Sequence, residues 1–73
     1  MNKSLIEKVA KNIKKYRAEK DYSQVQLAVR AGITDATLSS IEVARTDTTL
    51  TKLNTIAQAL GVRLTDLLDI EDE

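Results

Sequence analysis

Apolar residues recur along the chain at helical spacing in five blocks, and the residues between blocks are ones that start or stop helices. Ile6, Val9, Ile13 and Tyr16 predict the core face of a first helix over 5–20, opened by an S-x-x-E capping box of Ser4 and Glu7. Asp21 ends it, since Asp is among the few residues besides glycine that tolerate the left-handed region, and Tyr22 is expected to pack under the next helix. Ser23 and Gln26 form a second box, S-x-x-Q, before a helix over 24–31 whose buried positions are Leu27, Ala28 and Ala31. Gly32 then breaks the pattern where a positive φ is needed, Ile33 drops back into the core, and Thr34 caps a helix over 35–43 carrying Leu38 and Ile41. Thr49 caps a fourth helix over 50–60, with Leu50, Leu53, Ile56, Ala57 and Leu60 at helical spacing before Gly61. Val62, Leu64, Leu67, Leu68 and Ile70 surround a short fifth helix over 64–70, and an acidic tail follows over 71–73.

Composition narrows the chemistry. The 73 residues make one domain, small enough that dimerisation would help its stability. With no Cys, His or Pro, the chain has no disulfide or zinc framework and no catalytic arrangement that needs a histidine or thiol. Gly32 and Gly61 are isolated, so no glycine-rich phosphate loop exists, and the D-I-E-D-E tail lacks the loop and glycine turn of a calcium site. An enzyme, a metal and a cofactor are therefore not expected. No apolar run reaches the length of a membrane span and the N-terminus lacks the apolar segment of a signal peptide, which predicts a cytoplasmic protein.

The formal net charge is zero, but it is segregated: residues 1–65 hold all 11 Lys and Arg against six acids, while Asp66, Asp69, Glu71, Asp72 and Glu73 close the chain. The basic part can face phosphates with the acidic end turned away, or it can be a solvated surface with a solubilising tail. The lysines of the first helix, Lys8, Lys11, Lys14, Lys15 and Lys20 with Arg17, also allow a membrane-surface helix, but the aromatic anchors of such helices are missing.

The stretch SQVQLAVRAGITDATLSSIE, Ser23 to Glu42, combines a small residue where two helices cross (Ala28), a glycine turn, and apolar residues sealing the angle. This is the pattern of a helix-turn-helix, whose second helix is offered to the DNA major groove. Through Ser23-Gln24, Leu27-Ala28, Gly32 to Thr34, Ile41-Glu42 and Ala59 to Val62, the sequence resembles the Cro and phage-repressor class, the xenobiotic-response-element family of bacterial regulators. The resemblance runs from about Ile13 to Leu68. It implies an all-α, compact five-helix, lambda-repressor-like DNA-binding domain.

The resemblance also implies roles for single residues. Positions matching Asp35, Ala36 and Ser40 reach base edges in such proteins, and Ser39 lies on the same exposed side. Asp35 can accept from cytosine N4, Ala36 can pack on a thymine methyl and Ser40 can donate or accept; an acid here also suits the helix dipole. Gln24, Thr34, Arg45 and Thr46 are the phosphate-contact candidates, although Gln24 is also simply a good helix former. Arg17 and Glu42 match positions that pair inside the fold in relatives, with an exposed, unpaired arrangement as the alternative. Relatives usually have glycine near Ala44 and proline near Thr48; without them, either the third helix extends or the loop takes another path. Leu64, Leu67, Leu68 and Ile70 would make the contact of a homodimer, or finish the monomer's core. Val25 and Val29, off the buried face, are either ordinary surface valines or a contact for polymerase or another protein.

The expected function is a sequence-specific DNA-binding transcription regulator, a small dimeric repressor of phage type or like a restriction-modification controller, acting on a palindromic operator. Double-stranded DNA is the expected partner. The alternative is a protein-interaction module, such as an antitoxin that binds a partner protein and regulates its own operon.

Overall fold

The computed structural model describes residues 3–69. These form α1 (Lys3–Glu19), α2 (Gln24–Ala31), α3 (Asp35–Glu42), α4 (Leu50–Leu60) and α5 (Leu64–Leu67), with no strand among the described residues. The capping box at Ser23 forms as expected: Ser23 Oγ accepts from Gln26 N at 3.0 Å and Gln26 Oε1 accepts from Ser23 N at 2.8 Å. Thr34 and Thr49 cap α3 and α4, accepting from Thr37 N and Lys52 N. The box expected at Ser4 does not cap anything, because the chain is already helical at Lys3 and Ser4 lies inside α1.

The first four helices all stop by one device. A left-handed residue follows each, and the next amide reaches back five residues to a carbonyl of the last turn. These bonds are Tyr22 N to Arg17 O (3.2 Å), Ile33 N to Ala28 O (3.0 Å), Arg45 N to Ser40 O (3.0 Å) and Val62 N to Ala57 O (3.0 Å). Glycine supplies the left-handed residue twice, Gly32 (φ 70°) and Gly61 (φ 72°), and Asp21 (φ 57°) and Ala44 (φ 56°) supply it otherwise. Helix α3 therefore does not run on past Val43; Ala44 takes the glycine conformation at a steric cost.

The core unites Val9 and Ile13 of α1, Leu27, Ala28 and Ala31 of α2, Leu38 and Ile41 of α3, four residues of α4 and Leu67 of α5. Two apolar positions with the right spacing are not in it. Leu50, at the start of α4, is 60% exposed, and Ile6 sits at the edge where α1 passes the α3–α4 loop, its place on the core taken by Leu5. Helix α1 packs on α3, α4 and α5, and α2 packs on α3 and α4. This leaves the outer side of α3 free. The Asn12 side-chain amide joins α1 to the end of α5, donating to Leu67 O at 2.9 Å and Asp69 O at 3.1 Å and so satisfying carbonyls left over where α5 stops.

Candidate nucleic-acid interface

Helix α3 is held at both ends. Thr34 fixes its start, while its last residue, Glu42, is 2% exposed and is the one charged residue buried among the described residues. Its carboxylate takes a two-pronged contact from Arg17, Nε to Oε2 at 2.8 Å and Nη2 to Oε1 at 2.9 Å. Gln24 Nε2 adds a third bond to Oε1 at 3.1 Å, and Arg17 Nη1 donates to Tyr22 O at 3.0 Å. One buried carboxylate thus joins the end of α1, the start of α2 and the end of α3. The paired arrangement of Arg17 and Glu42 is the one adopted. A bidentate guanidinium fixes direction as well as distance, so the network sets the angle at which α3 leaves the domain.

Between these anchors the outer side of α3 is open. Asp35 and Ala36 are exposed, and Ser39 and Ser40 are half-buried beside them. Arg45 and Thr46 are exposed just beyond the left-handed turn at Ala44. The expected base-reading group and these two phosphate candidates therefore lie on α3 and the turn that follows it, each at least partly accessible. Two other phosphate candidates are partly engaged. The Gln24 amide is turned inward to Glu42, which leaves its second amide hydrogen and its carbonyl. The Thr34 hydroxyl accepts from Thr37 N and donates to Thr37 Oγ1 at 2.8 Å, so the hydroxyl with a proton to give is that of Thr37. The N-cap at Thr34 is legible in the sequence, but not where its proton goes.

At the other end of the molecule, Leu67 has no exposed surface and belongs to the monomer's own core, so it cannot contribute to a dimer contact as expected. Leu64 and Leu68 keep part of their surface while packing on that core, and Ile70 lies outside the described residues. On α2, Val25 (56%) and Val29 (74%) project into solvent, and Arg30 lies over the Tyr22 ring at 4.6 Å. No His, Cys, Asp or Glu group suited to hold a metal occurs among the described residues, and no helix there is long and apolar enough to cross a membrane.

Two short helices meeting at a glycine turn, the first braced on the domain and the second exposed along one side, define a helix-turn-helix protein of the DNA-binding class. The chain belongs to the HTH_3 helix-turn-helix family, whose sequence pattern matches residues 13–67. It is 37% identical over 65 residues to the HTH-type transcriptional regulator y4dJ of Sinorhizobium fredii, spanning 89% of this chain and 84% of that one. It is 38% identical over 66 residues to the HTH-type transcriptional regulator SinR of Bacillus subtilis, where the match spans 89% of this chain and 60% of SinR. The crystal structure of the hypothetical transcription factor NHTF from Neisseria superposes with a TM-score of 0.86 at 30% identity, over 93% of this chain and 79% of that one. The restriction-modification controller protein C.AhdI from Aeromonas hydrophila shares the fold, with a TM-score of 0.85 at 22% identity over 89% and 94% of the two chains. The chain is a DNA-binding transcription regulator of this family.

Proposed function

We propose that this regulator binds a palindromic operator as a homodimer and represses transcription, with α3 lying in the major groove. The observation that carries this reading is the open side of α3, with Asp35 and Ala36 exposed and Ser39 and Ser40 half-buried beside them, next to exposed Arg45 and Thr46, on a helix locked at its far end by Glu42. Asp35 accepts from cytosine N4, Ala36 packs on a thymine methyl, and Ser39 and Ser40 donate or accept at base edges. Arg45, Thr46, Gln24 and the Thr34–Thr37 pair meet phosphates. The half-buried Leu64 and Leu68 carry the two-fold contact. Its two recognition helices would stand about 34 Å apart, one helical turn of DNA. A protomer measuring 32 × 21 × 19 Å is of a size for which two copies side by side span that distance. The protein would act in the cytoplasm, on the nucleoid, without a cofactor.

Selection from a randomised duplex library tests the reading. Enrichment of a palindrome with half-sites one turn apart supports it, and a recovered pool without two-fold symmetry refutes the dimer. Substitution separates the roles: Arg45→Ala should weaken binding to all sequences alike and lower the salt slope by about one unit, whereas Ser40→Ala should change the preferred site. Equal losses for both variants on every sequence would overturn the assignment.

A second reading, an interaction module such as an antitoxin holding a partner protein, rests on Val25 and Val29, adjacent and exposed on α2. Stable co-purification with a non-identical protein that Val29→Ser abolishes would favour it. The two readings are compatible in an antitoxin that represses its own operon.

A further inference from the structure

Helix α1 carries more positive charge than the fold uses. Its apolar side, Val9, Ala10 and Ile13, is consumed by the core, so the helix has no free face to lay on a lipid surface. Beside that face, with Ala10 at its floor, an open groove of about 590 Å³ runs between α1 and the end of α3. Lys3, Lys8, Lys11 and Lys14 line one wall, and Val43 and Ala44 form the other. The groove continues at Lys3 toward Arg45, Thr46 and Asp47.

The charge of this groove is not neutralised within the domain. The four lysines make no ion pair among the described residues. Glu42 reaches the groove, but its carboxylate is buried and already accepts three bonds from Arg17 and Gln24. Glu7 and Asp47 are the exposed acids along the lining, against Lys3, Lys8, Lys11, Lys14 and Arg45. Lys3 to Lys14 extends about 16 Å along the helix at 1.5 Å per residue. That length is enough to follow a few successive phosphates of one DNA strand.

We propose that the lysine side of α1 is a second phosphate track, which carries the DNA backbone onward from Arg45 and Thr46 along the groove beside Val43 and Ala44. The inference rests on the DNA-binding reading above. Two features favour a nucleic-acid backbone over a folded acidic partner. The groove is open and adjoins the loop that bears Arg45, and its cations are flexible point charges without the planar fork that reads a specific acceptor pair. Such a track adds affinity and no sequence preference.

The test compares two double variants of the full chain with equal loss of charge, Lys11→Gln with Lys14→Gln, and Lys20→Gln with Lys52→Gln, whose lysines lie outside the groove. Affinity for a 30-base-pair duplex is measured across a salt series, on the selected operator and on a scrambled sequence. The groove pair should lower the salt slope by about 1.8, at 0.9 per cation lost, equally on both duplexes, while the control pair changes it much less. Equal changes in the two double variants would mean that only overall charge matters and would overturn the track; so would an unchanged slope in the groove pair. Arg45→Ala, run alongside, separates the two levels. If it lowers the slope and the groove pair does not, only the track fails, and if the unaltered protein shows no salt-dependent duplex binding, the DNA-binding reading fails with it. Unchanged thermal melting of the groove pair confirms that the fold is intact.

Discussion

Replacing Ala44 with glycine should make this protein more stable, although it deletes a side chain. Ala44 sits at φ 56°, where an L-residue's Cβ crowds the following carbonyl at a cost of about 1–2 kcal/mol. Glycine escapes that cost but gives back about 0.5–1 kcal/mol through the freedom of its unfolded chain. The balance for Ala44→Gly is a gain of roughly 0.5–1 kcal/mol, which for a domain of this size raises Tm by about 2–8 °C. The reverse change is available in the same fold. A Cβ added at Gly32 (φ 70°) would meet no heavy atom within 4 Å, so Gly32→Ala isolates the backbone term and should lose about 1 kcal/mol. Asp21→Gly, at φ 57°, should gain less than Ala44→Gly, because Asp tolerates this region better than Ala. Thermal and urea melts of the three variants give the order directly. If Ala44→Gly fails to stabilise while Gly32→Ala destabilises, the shared helix-stop argument is refuted at Ala44.

Removing the Glu42 side chain leaves Arg17 facing a largely closed site without its counter-charge, so Glu42→Ala should cost about 3–5 kcal/mol. In a double-mutant cycle with Arg17→Met the losses should be non-additive; additive losses in urea melts would show that the pair is not coupled. Asn12→Ala should cost about 1–2 kcal/mol by unpairing the carbonyls of Leu67 and Asp69, with faster amide exchange in α5 as the local readout. Leu67→Ala should cost about 2–5 kcal/mol as a core truncation whatever the protein concentration, whereas Leu64→Ser should act on self-association, seen by sedimentation equilibrium. A monomeric unaltered protein at high concentration would remove the dimer.

What the sequence made legible was what depends on near neighbours. The caps at Ser23, Thr34 and Thr49 and the stops at Gly32 and Gly61 each follow from a few adjacent residues, and each forms. The stop at Ala44 was not legible, because alanine carries no mark of a left-handed residue; only the surrounding backbone bonds impose it. Helical spacing identifies a face but not where the core ends along it, which is why Ile6, at a core-face position, sits at the edge and Leu50, at the same spacing as its buried neighbours, is exposed. The capping box at Ser4 satisfied its local pattern and still failed, since a helix that has already begun has no use for a cap. Contacts far apart in the chain left least trace. Asn12 meets Leu67 at a separation of 55 residues, and nothing local says that a polar residue on α1 closes the end of α5.

The same distinction explains why a charged residue is buried where α3 ends. Within α3 only Leu38 and Ile41 are buried apolar anchors, one helical turn apart, and two side chains on one stripe resist rolling of a short helix poorly. The base-facing residues of the proposed complex are Asp35, Ala36, Ser39 and Ser40, all short, so a small tilt would lift them out of reach of the bases; longer side chains could bend to compensate. A core of apolar contacts alone sets distance better than direction. The two parallel bonds from Arg17, with the third from Gln24, set direction, and they come from the two helices against which α3 must be aligned. The buried ion pair is therefore explained by orientation more than by stability, since replacing such a pair with well-packed apolar residues is often neutral or stabilising. In this chain the short reading residues and the buried carboxylate are two parts of one requirement: the shorter the side chains at the surface, the more firmly the helix beneath them has to be held.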